Sequence, residues 1–283
     1  MNILSGFLED GQDVSLDLST HRLSEAFRFA YGQRSEMGDP DFIEGMYGFQ
    51  QELLNATTAE GIRAKINDSH TLNVSAYDPS GFEIVDNHGT SAVVVGDASG
   101  MAISLTTTIN LLFGSKVIDP ETGVIMNDEM TDFSIPGRSN VFGYLPSPSN
   151  FIRPGKRPMS SITPIIAEHA QNGSLYYVVA AAGGSKIITA SLQNLWHVLD
   201  HGMSAIEALA APRLHDQLIP NVCSFEYEYD NSTVESMIER GHNITWLAPG
   251  AWSSTAQSLR LLPNGTFEAA GEPRQINSGG YVT

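Results

Sequence analysis

The sequence predicts an α+β fold, because its 283 residues contain hydrophobic patterns of both kinds. Residues 90–108 hold two β-branched runs separated by a Gly-rich turn, a pattern typical of a β-hairpin. Residues 23–31 and 187–201 repeat apolar side chains at the spacing of helices that pack on a core. With 41% hydrophobic residues, a chain of this length can bury a sizeable core as one or two domains.

The remaining predicted elements flank the hairpin. Residues 42–68 have the character of further helical segments and precede it. A helix over residues 204–210 is expected to end before the dipeptide Ala211-Pro212, because the residue preceding a proline disfavours the α conformation. We find no internal repeats and no low-complexity tracts.

Antiparallel pairing in the hairpin brings Thr90 to the threonines that end its second strand. A turn centred near Ala98 and Ser99 places Thr90 opposite Thr107 or Thr108. A register slip of one residue moves every side chain to the other face, so it decides which hydroxyl lies beside Thr90. The sequence predicts a cluster of hydroxyl groups and leaves these two registers open.

Thr90 is the candidate nucleophile. A threonine hydroxyl needs a base to take its proton, and cutting the chain before Thr90 would provide one in its own α-amino group, whose pKa is near ~8. Gly89 favours such a cut, since it has no Cβ and tolerates strained backbone conformations. The alternative is that Gly89-Thr90 is an ordinary loop sequence at the start of a strand.

Six motifs resemble, in the same order, the end of the large subunit and the whole small subunit of the gamma-glutamyltranspeptidase (glutathione hydrolase) family of N-terminal-nucleophile hydrolases. They are YGQRSEMGDPDF (31–42), FGSK (113–116), NDEMTDF (127–133), PGKRPMSS (154–161), GGSKIIT (183–189) and APRLH (211–215). The resemblance implies a four-layer αββα sandwich, here lacking most of the large subunit. Residues 1–89 would be the C-terminal remnant of that subunit, and residues 90–283 the small catalytic subunit.

The resemblance also assigns the catalytic groups. Thr90 would be the nucleophile and the new N-terminus after autocatalytic cleavage, with Thr108 supporting its hydroxyl. Gly183 and Gly184 would donate their backbone N–H groups to the oxyanion. This suits their chemistry, because glycines let the backbone approach the reacting atom and one such donor can stabilise a transition state by about 3 kcal/mol.

Five further residues match the family's substrate-binding positions. Asn110, Glu129 and Asp132 would hold the α-amino group of the γ-glutamyl moiety, and Ser160 and Ser161 its α-carboxylate. Two carboxylates beside an ammonium group form a chemically sensible site. The alternative for residues 127–132 is a solvated acidic loop, which is common in so acidic a chain.

The reaction implied by the resemblance is the transfer of the γ-glutamyl group of glutathione and its conjugates to Thr90, and then to water or an amino acid. It belongs to glutathione catabolism and needs no cofactor. The sequence contains no zinc-type Cys/His spacing, no phosphate-binding loop and no dinucleotide fingerprint. Two alternatives stay open: a catalytically incompetent truncated family member, and a related N-terminal-nucleophile acylase of other amides, in which the ammonium site formed by Asn110, Glu129 and Asp132 should be absent.

The chain also departs from the family pattern. The arginine that clamps the substrate α-carboxylate in the family has no counterpart here, and losing one partner of a buried charge pair commonly costs about 2–5 kcal/mol. Ala92, Asp128 and Thr131 stand where the family usually has His, Asn and Asp. Without the rest of the large subunit we expect bare sheet edges and apolar faces, and therefore poor solubility or dependence on a partner chain. The expected assembly is the two subunits of one precursor.

The charge and the remaining residues limit partners and location. A formal net charge of −17 argues against a nucleic-acid or anionic-membrane partner. The lone cysteine, Cys223, is expected to be a buried core residue. No apolar run reaches membrane-spanning length, and no signal segment follows Met1. Seven Asn-X-Ser/Thr sequons nevertheless favour the secretory pathway, at the cell surface, outside the cell or in a vacuole: Asn55, Asn67, Asn73, Asn172, Asn231, Asn243 and Asn264.

Overall fold

The computed structural model describes residues 1–8, 14–77, 80–82, 89–138, 145–248 and 254–283. The helices of these residues are α1 (Asn2–Leu8), α2 (Leu16–Arg34), α3 (Met46–Leu53), α4 (Ala56–Arg63), α5 (Lys186–Asp200), α6 (Ala205–Ala210) and α7 (Asn231–Glu239). The strands are β1 (Thr90–Gly96), β2 (Ala102–Thr108), β3 (Ile165–Glu168), β4 (Leu175–Ala182), β5 (Leu214–Asp216), β6 (Cys223–Glu226), β7 (Ile244–Leu247), β8 (Thr255–Leu261) and β9 (Phe267–Ala270). The α+β prediction is confirmed.

The chain forms two compact units that interleave in sequence. Unit 1 comprises Met1–Val85, Met130–Ser160 and Leu214–Ala248. Unit 2 comprises Asp86–Glu129, Ser161–Arg213 and Pro249–Thr283. The division expected at the Gly89-Thr90 bond concerns cleavage of the chain and stays a prediction.

Unit 1 is organised by α2, the longest helix that the structure describes. The side chain of Ser15 caps the helix by accepting a hydrogen bond from the N–H of Leu18. Leu23, Phe27 and Tyr31 are almost fully buried, and their spacing of four residues places them on one face of the helix. The core of unit 1 therefore includes one long apolar stripe on α2.

A small mixed sheet completes unit 1. Its strand order is β5-β6-β7, with β5 antiparallel and β7 parallel to β6. Cys223 begins β6 and is buried, as the sequence predicts. Burial raises the pKa of its thiol well above the usual value, so Cys223 is a core residue with little thiolate character.

Unit 2 packs a hairpin and two helices on a four-stranded sheet. The hairpin is β1-β2, and the sheet has the order β3-β4-β8-β9. The hairpin contacts β4 and β8, where Val94 packs on a cluster that includes Val178 and Leu259. Helices α5 and α6 also contact this sheet. Because the hairpin and α5 both contact β4, that strand is buried along nearly its whole length.

The second face of the hairpin is apolar and half exposed. Burial alternates along β1 and β2 with the period of two expected of strands. The outward side chains Val93, Val95, Ile103 and Leu105 have exposed fractions between 50% and 53%. This row forms a hydrophobic surface of the kind that other chain segments or partners cover.

The predicted helices correspond to observed ones. Residues 23–31 lie within α2, and residues 187–201 coincide with α5 to within one residue at each end. The helix predicted over residues 204–210 is α6 (Ala205–Ala210), with Ser204 as its N-cap and a capping box made by Ser204 and Glu207. The segment 42–68 contains α3 and α4, separated at Leu54 and Asn55. No helix in the described part of the chain is long and apolar enough to cross a membrane.

Candidate active site

The register of the hairpin decides which threonine faces Thr90. Thr90 pairs with Thr108, Ser91 with Thr107, and Gly96 with Ala102. The turn between the strands is tightened by the carboxylate of Asp97, which accepts hydrogen bonds from Ser99 and Met101. Of the two registers left open by the sequence, the structure selects the one that puts Thr108 beside Thr90.

Thr90 and Thr108 share a directed hydrogen bond. Their Oγ1 atoms are 3.0 Å apart. The Thr108 hydroxyl donates its one proton to the carbonyl oxygen of Gly89, 3.0 Å away. Thr90 must therefore be the donor to Thr108, whose oxygen also accepts the N–H of Asn110 at 2.9 Å. Thr108 thus orients the hydroxyl of the candidate nucleophile by accepting a hydrogen bond from it.

The carbonyl group preceding Thr90 is polarised by two donors. The oxygen of Gly89 accepts the Thr108 hydroxyl and the N–H of Ile109, the latter at 3.1 Å. Two donors on one carbonyl oxygen stabilise negative charge that develops there when the carbon is attacked. The peptide bond before Thr90 consequently lies in an environment suited to acyl transfer.

Close packing around Gly89 requires a glycine at this position. A Cβ there would overlap the backbone carbonyl oxygens of Asn110 and Leu111. Only glycine lets the backbone before Thr90 pass this close to the segment after β2. The expectation that Gly89 allows the strained conformation needed for cleavage stays a prediction.

A cavity of about 490 Å³ opens at Thr90, and all of its lining residues belong to unit 2. Thr90, Thr108 and Gly183 line it together with Thr255 and other residues. The structure therefore brings three of the four predicted catalytic residues to one cavity, and Gly184 follows Gly183 directly in the chain.

The two glycines form the turn between β4 and α5. Their φ angles are +129° for Gly183 and +62° for Gly184, in the region that favours glycine. Their carbonyl groups accept the N–H groups of Lys186 and Ile187 in the first turn of α5. Among the described residues, no group accepts a hydrogen bond from the backbone N–H of either glycine. Both glycines lie at the N-terminal end of α5, where a helix favours negative charge.

Asn110 and Glu129, two of the residues predicted to hold the ammonium group, both belong to unit 2. Asn110 is fully buried, has a φ of +71°, and donates from Nδ2 to the carbonyl oxygen of Asp128 at 3.3 Å. The Asp128 carboxylate accepts the N–H of Leu111, which joins the segment after β2 to the acidic motif. Glu129 is the next residue and is half-buried. Asn110 and Glu129 are therefore brought into one region of unit 2.

The other predicted substrate residues, Asp132, Ser160 and Ser161, are divided between the two units. Asp132, in unit 1, is 1% exposed and ends the 3₁₀ helix that begins at Glu129. Ser160, also in unit 1, is exposed, whereas Ser161, in unit 2, is buried. A role for any of them in substrate binding stays a prediction.

Arg34, in unit 1, is a cation near Asp132 and Ser160 that sequence reasoning missed. It ends α2 and donates to the backbone carbonyl of Ser160 at 3.2 Å. Burial lowers the pKa of its guanidinium, against the opposing effects of Tyr31 and Asp132. The basic residue in YGQRSEM was the available signal in the sequence.

Two of the family-like motifs bind each other in unit 1. The backbone N–H and Nε of Arg157 donate to the carboxylate of Asp39 at 2.8 and 3.0 Å. The hydrogen bonds from Arg157 hold the pKa of Asp39 well below its usual range. The motifs at 31–42 and 154–161 are thus coupled structurally through this pair.

One group of described residues has the composition of a metal site. His21, Glu25 and His242 in unit 1 are buried, with candidate ligand atoms within 4.8 Å of one another. These groups bind each other and their neighbours: His21 Nδ1 lies 2.8 Å from His242 Nε2, and the Glu25 carboxylate accepts the hydroxyls of Thr71 and Tyr77. We interpret the group as a buried hydrogen-bond network that fastens α2.

The profile of the gamma-glutamyltranspeptidase family matches residues 1–282. This chain belongs to that family. The glutathione hydrolase proenzyme of Arthroderma benhamiae is 56% identical over 94% of this chain, and the match covers 45% of that relative. The chain spans about half the length of the curated relatives it matches.

Solved structures agree with this membership. The gamma-glutamyltranspeptidase of Helicobacter pylori matches 65% of this chain with a TM-score of 0.59 and 33% identity, and 99% of that chain is covered. The cephalosporin acylase of Bacillus halodurans matches all of this chain over 48% of its own length, with a TM-score of 0.75 and 19% identity, which shows a shared fold alone. The predicted N-terminal-nucleophile hydrolase fold is thereby confirmed.

Proposed function

We propose that this chain carries the nucleophile of a γ-glutamyltransferase and glutathione hydrolase. The observation that carries the proposal is the arrangement of Thr90, Thr108 and Gly89, in which a hydroxyl, its hydrogen-bond acceptor and a doubly polarised carbonyl lie side by side. Family membership supports acyl transfer through Thr90 in preference to the incompetent-remnant alternative.

The first proposed reaction is cleavage of the chain itself. Thr90 Oγ1 attacks the carbonyl carbon of Gly89 while its proton moves towards Thr108 Oγ1. The developing oxyanion is stabilised by the donors that already bind the Gly89 oxygen. The C–N bond breaks and the Thr90 nitrogen takes a proton, which leaves an ester. Water hydrolyses the ester, giving a Gly89 carboxylate and a free α-amine and hydroxyl on Thr90.

In turnover, the free amine of Thr90 takes the proton of its own hydroxyl. The Oγ1 then attacks the γ-carbonyl carbon of the substrate, and the N–H groups of Gly183 and Gly184 stabilise the oxyanion. The amine passes the proton to the leaving amino group as the C–N bond breaks. Water or the amino group of an amino acid attacks the γ-glutamyl ester, so the products are glutamate or a γ-glutamyl peptide.

Binding of the glutamyl group would use the acidic and hydroxyl residues. Asn110, Glu129 and Asp132 suit an ammonium group, because a carboxylate accepts charge-assisted hydrogen bonds from it. Ser160 and Ser161 suit the α-carboxylate as hydroxyl donors. The glutathione class of substrates fits this pairing, since an α-amino and an α-carboxylate group distinguish a γ-glutamyl amide from other amides.

The proposed assembly is a zymogen that becomes two subunits of one precursor, cut before Thr90. We also propose that the protein is a glycoprotein of the secretory route. All seven sequon asparagines are exposed, which the attachment of a glycan requires: Asn55, Asn67, Asn73, Asn172, Asn231, Asn243 and Asn264.

The test combines intact mass, N-terminal sequencing and an assay with a γ-glutamyl anilide. The full-length protein should yield a fragment that begins with Thr90 and should release the aniline. Thr90→Ala should leave the chain uncut and inactive. Thr107→Ala, which changes the neighbour of Thr108, should be cleaved and should release the aniline like the wild type. Aniline release that persists in Thr90→Ala would reject the nucleophile, and an uncut, inactive wild-type protein would favour the incompetent alternative.

A further inference from the structure

Gly183 packs directly on the backbone of Ser254. A Cβ on Gly183 would lie 2.8 Å from the Ser254 Cα and 3.2 Å from its Cβ, so the two backbones are in direct contact. Ser254 immediately precedes β8, whose first residue Thr255 pairs with Ala182 at the end of β4. Thr255 lines the cavity at Thr90 together with Gly183. The segment at Ser254 therefore forms the wall behind the turn that carries Gly183 and Gly184.

A buried arginine holds this wall. Arg213 is 4% exposed, and its Nη1 donates to the carbonyl oxygen of Ser254 at 2.7 Å. Its Nη2 donates to the Glu272 carboxylate at 2.9 Å and to the carbonyl oxygen of Leu209 at 3.2 Å. The guanidinium thereby fixes Ser254 relative to two other elements of unit 2.

Glu272 holds the same wall directly. Strand β9 ends at Ala270, so its ladder with β8 stops at Ser258. The Glu272 Oε2 accepts the N–H of Ala256 at 2.7 Å and thus replaces a strand partner there. With Arg213, this carboxylate binds the chain at Ser254 and at Ala256, two residues apart.

The ion pair is built to stay charged and fixed. Burial raises the pKa of the Glu272 carboxyl, but Arg213 and Arg274 outweigh this effect and hold the pKa below its usual value. Arg274 donates to the other oxygen, Oε1, from its backbone N–H and from Nη1. Both oxygens of Glu272 are therefore engaged, and a buried carboxylate with this many partners has one orientation.

We propose that Arg213 and Glu272 are positioning residues, which fix the Ser254 to Ala256 segment and through it the N–H groups of Gly183 and Gly184 relative to Thr90. The proposal rests on the function proposed above for these glycines. Neither side chain lines the cavity, so their effect is exerted through the backbone. Displacement of a reacting or stabilising group by about 1 Å can cost 10²-fold in rate.

Glu272→Gln tests the proposal, because it keeps the shape of the side chain and removes its charge. We expect kcat for a γ-glutamyl anilide to fall about 10–100-fold, while KM stays within about threefold, since oxyanion donors act mainly in the transition state. Hydrogen exchange should accelerate at the amides of Lys186 and Ile187, which donate to the carbonyl groups of Gly183 and Gly184, and it should stay unchanged in β1. Glu268→Gln is the matched control. Glu268 lies on strand β9 and accepts the N–H of Ala205, the first residue of α6, and both readouts should match the wild type.

Arg213→Lys gives a second, independent reading if Glu272→Gln does not fold. Lysine retains the charge but has a single ammonium nitrogen in place of the planar guanidinium. It cannot donate to Ser254, Leu209 and Glu272 in the same geometry. It should lower kcat selectively in the same way. Wild-type kcat and exchange in a folded variant would overturn the proposal, as would a loss of thermal stability with unchanged kcat and KM.

The two proposals fail differently. If the wild-type protein shows no turnover that depends on Thr90, the proposed function fails before any variant is compared. Hydrogen exchange then decides on the positioning role by itself: faster exchange at the amides of Lys186 and Ile187 in Glu272→Gln supports it, and unchanged exchange overturns it.

Discussion

Replacing Thr108 by valine removes one oxygen atom that takes part in three hydrogen bonds. The hydroxyl donates to the Gly89 carbonyl and accepts from the Thr90 hydroxyl and from the N–H of Asn110. Loss of one donor to a developing oxyanion slows acyl transfer by about 10²–10³-fold. Loss of the group that accepts the proton of Thr90 costs a further 10²-fold or more by order of magnitude. Since the two effects share one atom they will not multiply fully, and we expect cleavage to slow by about 10³–10⁴-fold.

The assay is a time course of intact mass after purification of the uncut chain, with the fragments identified by their N-termini. Thr107→Val is the control, because Thr107 is the adjacent residue of the same strand and is exposed. Loss of the hydrogen bond from the Asn110 N–H should also lower the free energy of unfolding of Thr108→Val by about 0.5–1.5 kcal/mol. Cleavage of Thr108→Val at the rate of Thr107→Val would refute the role assigned to this hydroxyl.

Three further predictions concern the backbone, a buried histidine and the sequons. Gly89→Ala should slow cleavage and lower the melting temperature, because its Cβ would overlap the carbonyl oxygen of Leu111, whereas Gly48→Ala in α3 meets open space and should do neither. Burial lowers the pKa of His197 from 6.5 to about 4, with smaller effects of His201 and Arg213, so the stability it contributes is present above pH 6.5 and lost as the pH falls towards 4. Denaturant unfolding should show about 3 kcal/mol of this loss in the wild type and its absence in His197→Phe. Enzymatic removal of N-glycans from protein made in a eukaryotic secretory host should lower the mass of both fragments, since three sequons precede Thr90 and four follow it; unchanged masses would contradict the proposed route.

Local patterns predicted the elements that position Thr90. The turn residues after Gly96 and the β-branched runs predicted a hairpin. They placed either Thr107 or Thr108 opposite Thr90, and the structure shows that it is Thr108. Helix α5 was predictable because its apolar period is long, and the end of α6 because of the following proline. The roles proposed for Gly183 and Gly184 come from the resemblance of their motif to the family, because no periodicity indicates them.

Long-range polar contacts could not be predicted in the same way. Arg213 and Glu272 are separated by 59 positions, and nothing in the residues around either one indicates its partner. The network of His21, Glu25 and His242 likewise joins two ends of unit 1. The close approach of Asn110 and Leu111 to Gly89 could not be predicted either, because it depends on the path of the chain after β2. Such contacts arise from the tertiary fold, and a single sequence carries no local sign of them.

The Gly89 carbonyl and the Thr90 hydroxyl belong to consecutive residues, so the first substrate of the proposed nucleophile is part of the same molecule. Each chain can carry out this reaction only once, and no diffusion, affinity or product release precedes the attack. The half-life of the uncut chain is then a direct clock for the chemistry of Thr90. Comparing that half-life with kcat across one set of variants would separate residues that serve bond cleavage from those that serve only the capture of a free substrate.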